Sequence, residues 1–111
     1  MEIKVIKEVK LPCPHGSSEA FNDAIAVLYY AELSGERKGY FVGENWMGEE
    51  ILNGEISEDE VASWLHPTIE KAMEWILEDM RVRWAWLSVG EECHFCKKHK
   101  ECLEILKTLG E

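Results

Sequence analysis

Apolar and charged residues alternate from the start of the chain. Over residues 2–11, Ile3, Val5 and Val9 or Leu11 fall on one face, with Lys4, Lys7 and Lys10 elsewhere. That period of two predicts a half-buried β-strand. Cys13-Pro14-His15-Gly16 breaks it, because prolines and a glycine forbid continuation. Ser17 or Ser18 can then cap a helix running to about Leu33, with Phe21, Ala24, Ile25, Leu28 and Ala31 on one face. Ser34-Gly35 ends it. Residues 39–43 read as a short strand, and Asn53-Gly54 between Leu52 and Ile56 signals a hairpin.

Ser57 with Glu60 three residues on forms a capping box for a short helix through Val61, Trp64 and Leu65. His66-Pro67-Thr68 interrupts the chain before the longest periodic stretch, about 68–88. At 100° per residue, Ile69, Ala72, Met73, Ile76, Leu77, Met80, Trp84 and Leu87 form one broad apolar face. Trp75, Val82 and Trp86 form a second stripe on nearly the opposite side. A final helix, about 93–109, turns Leu103, Leu106 and Leu109 inward. The expected class is α+β: N-terminal strand, helix, small antiparallel hairpin, then three helices with a long central one. At 111 residues, 46% hydrophobic, residues 1–111 are expected to be a single domain.

Twelve basic against twenty-two acidic residues give a net charge of −10, which repels phosphate backbones and anionic membrane surfaces. Nucleic acid is therefore disfavoured as a partner. No apolar run reaches the roughly 18 residues needed to span a bilayer, and the first residues lack the apolar block of a signal peptide. A cytoplasmic protein is expected. The chain has no Gln and is rich in Glu and Lys, a bias of heat-adapted proteins, in which intracellular disulfides are common.

The chemistry is concentrated near the end, in Cys93-His94-Phe95-Cys96-Lys97-Lys98-His99-Lys100-Glu101-Cys102; Cys13 and His15 stand far upstream. Cys93 and Cys96 lie one turn apart at a helix start, where free backbone N–H groups favour the thiolate, the metal-binding form. Cys-x2-Cys is half of a tetrahedral zinc site, and Cys13 with His15, or His99 with Cys102, could complete it. Disulfides are a second solution: a Cys13–Cys102 bridge would close a very long loop, worth ~4 kcal/mol in the chain-entropy model. Unliganded, buried thiols are the third.

The spacing Cys13…Cys93-x2-Cys96-x5-Cys102 resembles the iron–sulfur staple of recombination helicase–nucleases and CRISPR-associated nucleases. That resemblance implies a [4Fe–4S] cluster held by these four cysteines, pinning the chain ends together. It covers four residues. The family's nuclease core is not recognisable, so the staple is implied and the activity is not. Cys13-Pro14-His15 also resembles the Cys-Pro-His-Cys site of thiol oxidases with the thioredoxin fold, with Gly16 where the resolving cysteine would stand.

His66 reads as a helix-boundary residue; Asp23, Glu32, Glu49 and Glu50 read as solvated charge. No Gly-rich phosphate loop, nucleophile elbow or His-Glu-x-x-His occurs. The expectation is a non-catalytic protein rather than an enzyme. Its Cys/His cluster (Cys13, His15, Cys93, Cys96, His99, Cys102) would be a structural zinc or iron–sulfur site, or a cofactor-free disulfide staple. Trp75, Val82 and Trp86 would form an interaction surface, with a homodimer as the partner. The alternative is a thiol-redox or iron–sulfur protein using Cys13, Cys93, Cys96 and Cys102.

Overall fold

The computed structural model describes residues 1–11, 25–78 and 99–111, with the His99 side chain left out. It is α+β: a three-stranded antiparallel sheet and four α-helices among these residues. The strands β1 (Glu2–Lys10), β2 (Ile25–Glu32) and β3 (Lys38–Glu44) lie in that order, with β2 central.

The strand at β2 corrects the helix expected to run to Leu33. Ala26, Val27, Leu28 and Tyr29 are buried in succession, so both faces of β2 are covered. A strand buried on both sides shows no alternation; it reads as a continuous apolar run, here Ile25 to Ala31. The spacing of Ile25, Leu28 and Ala31 imitated a helix, but the β-branched and aromatic content belonged to a sheet.

β1 forms where alternation predicted it, with one correction. Val5 pairs with Tyr29 and Lys7 with Leu28, which leaves Ile6 as the extra residue of a bulge. The bulge shifts the alternation, leaving Val5 58% and Ile6 47% exposed while Lys7 and Val9 are half-buried and Leu11 is fully buried. The five-residue link from β2 to β3 is closed by Leu33 N–H donating to the Arg37 carbonyl at 2.7 Å, with Gly35 and Glu36 at φ 74° and 62°.

Helix α1 (Met47–Leu52) replaces the hairpin expected around Asn53-Gly54. Those residues end the helix. The Glu55 N–H donates to the Glu50 carbonyl at 2.9 Å and the Gly54 N–H to the Ile51 carbonyl at 3.2 Å, with Gly54 at φ 81°. This is a Schellman closure, which shares with a hairpin turn its demand for positive φ. The expected capping box forms: Ser57 Oγ accepts from the Glu60 N–H at 3.2 Å and opens α2 (Glu58–Ala62), which stops short of the expected Leu65. Thr68 Oγ1 accepts from Lys71 N–H before α3 (Ile69–Glu78). The remainder of the expected long helix, with Met80, Val82, Trp84, Trp86 and Leu87, lies outside the described residues. Helix α4 (His99–Lys107) runs into a 3-10 turn at Thr108–Gly110.

Cross-strand partners share a face. One face of the sheet carries Tyr29 stacked on Phe41 at 4.9 Å, with Phe41 against Trp64 at 5.6 Å and Tyr29 bonded to Gly48 at the start of α1. The other carries Leu28, Val42 and Lys7, on the side of α4 and its terminal turn, against which α3 also packs. Among the described residues no helix is long and apolar enough to cross a membrane.

Candidate functional site

Of the expected Cys/His cluster, Cys102 is described. It is 0% exposed on the inward face of α4 with Leu106, and Leu109 continues that face in the terminal turn. Cys13, His15, Cys93 and Cys96 lie outside the described residues; His99 opens α4, its side chain likewise outside. Among the described residues no three His, Cys, Asp or Glu side chains converge as a metal site. The strand leading towards Cys13 and the helix bearing Cys102 do approach each other. β1 lies against α4 and its terminal turn, and Lys7 Nζ donates to the Thr108 carbonyl at 2.7 Å.

A second arrangement was not legible in the sequence. Tyr30 pairs with Lys4 on one side and Tyr40 on the other. Tyr40 in turn exchanges both backbone hydrogen bonds with His66, each 2.8 Å, which extends the edge of β3 by one residue. Gly39 makes this possible: a Cβ there would lie 2.5 Å from the His66 carbonyl oxygen. Lys4, Tyr30, Tyr40 and His66 therefore form one row on one face of the sheet, and Trp75 of α3 continues it.

The rings of Tyr30 and Tyr40 stand 5.1 Å apart at 50°, those of His66 and Trp75 5.7 Å apart at 43°. All four side chains are half-buried. His66, expected as a mere break in the chain, is thus a member of the sheet. Trp75, expected on a stripe opposite the core, rests on it. Burial holds the His66 pKa below its ordinary value. The Tyr30 hydroxyl donates to Glu32 Oε1 at 2.9 Å, and that bond pushes the Tyr30 pKa up.

The sequence also gave no sign of a buried carboxylate at the other end of β3. Glu44 is 3% exposed, and its Oε2 accepts from Trp46 Nε1 at 2.5 Å. Burial raises its pKa, with the indole bond opposing. Beside it the Tyr29 hydroxyl donates to the Glu44 carbonyl at 2.6 Å and accepts from Gly48 N–H at 3.2 Å. Burial pushes this tyrosine up to about 12, so it stays a neutral hydrogen-bonding post rather than a base. Glu32 and Glu49 are exposed, as solvated charge should be, and Glu50 is half-buried; Asp23 lies outside the described residues. No protein family, curated protein or solved structure matches this chain.

Proposed function

We propose that the chain is a small, non-catalytic cytoplasmic binding protein. Its Cys/His residues (Cys13, His15, Cys93, Cys96, His99 and Cys102) staple its two ends, and its Trp75-bearing face meets a partner. One observation carries the staple: β1 lies along the C-terminal turn, with Lys7 bonded to Thr108, so the polypeptide leaves β1 for Cys13 from a strand already held at the other end of the chain. Thiolates and imidazoles in that number suit tetrahedral zinc, four thiolates suit an iron–sulfur cluster, and paired thiols suit a disulfide. The complete burial of Cys102 favours a structural thiol over a redox one, because redox cysteines need solvent access.

Elemental analysis and a thiol count on the purified protein test this reading. One zinc, or iron with sulfide, per chain supports a metal staple; metal-free protein whose thiols become titratable only after reduction supports a disulfide. In either form Cys96→Ser should lower the melting temperature, because metal-binding energy is folding energy. Metal-free protein with four titratable thiols and an unchanged Cys96→Ser melting temperature would overturn the staple.

A further inference from the structure

One edge of the sheet is open. The outer side of β3 is extended by His66, whereas no strand among the described residues runs along the outer side of β1. An edge strand presents a row of backbone donors and acceptors that another strand can take up. Register assigns the first half of β1 to two faces. Ile3 and Val5 stand beside Ala31 and Tyr29 on one, Glu2 and Lys4 beside Glu32 and Tyr30 on the other. Val5 is 58% exposed, and Met1, one step before the strand, 52%. Glu2 lies directly opposite Glu32, an unfavourable pairing, while the row of Lys4, Tyr30, Tyr40 and His66 contains no acid. Neither Glu2 nor Lys4 forms an ion pair with another described residue.

A second copy of this chain answers that pattern. Two copies joined edge to edge through an antiparallel pair share a two-fold axis normal to the sheet, so each residue must meet a partner from the same face. The bulge at Ile6 decides which registers remain. Pairing centred on Ile6 would set Glu2 against Lys10 and Lys4 against Glu8, but the bulge has put those partners on opposite faces. A centre at Val5 runs into the bulge. Before it, centres at Glu2 or Lys4 set a charge against its own copy. The centre at Ile3 sets Glu2 against Lys4 twice, Met1 against Val5 twice, and Ile3 against itself. Beyond the bulge, a centre at Glu8 is repulsive. A centre at Val9 needs Leu11, which is fully buried, and Lys7, which is bonded to Thr108.

We propose that β1 joins two copies of this chain into a symmetric dimer through residues 1–5, centred on Ile3. Lys4 of the second copy then stands beside Glu2 and offsets its repulsion from Glu32, while Glu2 of the second copy supplies the acid missing from the Lys4 row. On the opposite face Met1 and Val5 cover each other, with Ile3 at the axis. The half of β1 beyond the bulge extends past the first residue of the other copy, so the terminal turn held by Lys7 stays clear of it. Lysines and bulges ordinarily blunt an edge. Here the bulge and Lys7 guard the second half of the strand, and the lysine of the first half is matched. Five residues a side fall far short of a permanent interface, so association is weak and concentration-dependent. The inference rests neither on the cysteines nor on the Trp75 face.

Sedimentation of the full chain over a micromolar-to-millimolar series tests this. A reversible monomer–dimer equilibrium is expected, with amide protection within residues 2–5 rising with concentration. A mixture of isotope-labelled and unlabelled chains should show NMR contacts between Met1 and Val5 across the axis. Lys4→Glu puts acid against acid at both symmetric contacts and should weaken association about tenfold. Glu2→Lys should do the same with two bases, and the double variant, Glu2→Lys with Lys4→Glu, should restore wild-type association. Leu52→Ala, on α1, should leave it unchanged. A chain monomeric throughout the series, a dimer indifferent to Lys4→Glu, or a double variant that stays monomeric would overturn the proposal. The metal and thiol assays read the staple separately, so either idea can fail alone.

Discussion

Lys7 Nζ donates a 2.7 Å hydrogen bond to the carbonyl of Thr108, joining the first strand to the last turn of the chain. Thr108 also donates its own hydroxyl to the Ile105 carbonyl at 2.6 Å, so the turn that receives the lysine is itself closed. The bond is charge-assisted and partly shielded from water, the condition under which such bonds contribute most.

Lys7→Met keeps the apolar stem and removes the donor. The Thr108 carbonyl then loses its partner, and the expected loss is about 2 kcal/mol of unfolding free energy. For a domain of this size that lowers the melting temperature by roughly 9 °C. Urea unfolding of both proteins measures it; an unchanged midpoint would mean that the chain ends are held without this bond.

Gly39→Ala places a methyl group against the His66 carbonyl and the Leu65 Cβ, neither of which can yield without lifting the segment off β3. A destabilisation of about 1–3 kcal/mol is expected. The Tyr40 and His66 amides, paired in the wild type, should then exchange with deuterium far faster than those of Val27 and Leu28 in the central strand. Preserved protection at Tyr40 would show that the segment can shift sideways to make room.

Glu44 titrates upward because it is buried. A carboxyl whose folded pKa exceeds its unfolded value binds its proton more tightly when folded. Its contribution to stability is therefore full below the ordinary carboxylate range and is lost as pH rises through the raised pKa. Glu44→Gln keeps an acceptor for Trp46 Nε1 and removes the titration. Relative to that variant, the wild type should lose stability with rising pH across a window starting at the ordinary carboxylate pKa. Parallel stability–pH curves for the two proteins would refute this.

Gly54→Ala tests backbone conformation alone, since a Cβ there would meet nothing within 4 Å while φ is 81°. The expected cost is about 1 kcal/mol, all of it from the left-handed conformation. Gly54→Asn should recover part of that, because asparagine tolerates this region. Equal stability of all three would mean that the end of α1 rearranges.

What the sequence determined by itself was local. The strand near residues 2–11, the short strand at 39–43, the Ser57–Glu60 cap and the apolar face of α3 with Ala72, Met73 and Ile76 depend on neighbours within a few positions, and all appear in the structure. The bulge at Ile6 nevertheless shifts which residues of the first strand face inward. The α+β class follows from them. Leu106 and Leu109 also point inward as their spacing requires.

Tertiary structure decided the rest, for reasons that spacing cannot carry. Residues 25–31 are a strand because layers cover both of its faces, a condition set by segments distant in sequence. Asn53-Gly54 could serve a hairpin or a helix end, since both need positive φ, and the folding of α1 chose between them. Glu44 looked like one more surface acid until the end of the sheet closed over it. The aromatic row depends on strand register. A slip of one residue would send Tyr30 to the opposite face, and the row needs Gly39 to admit His66 before Trp75 has a ring to rest on.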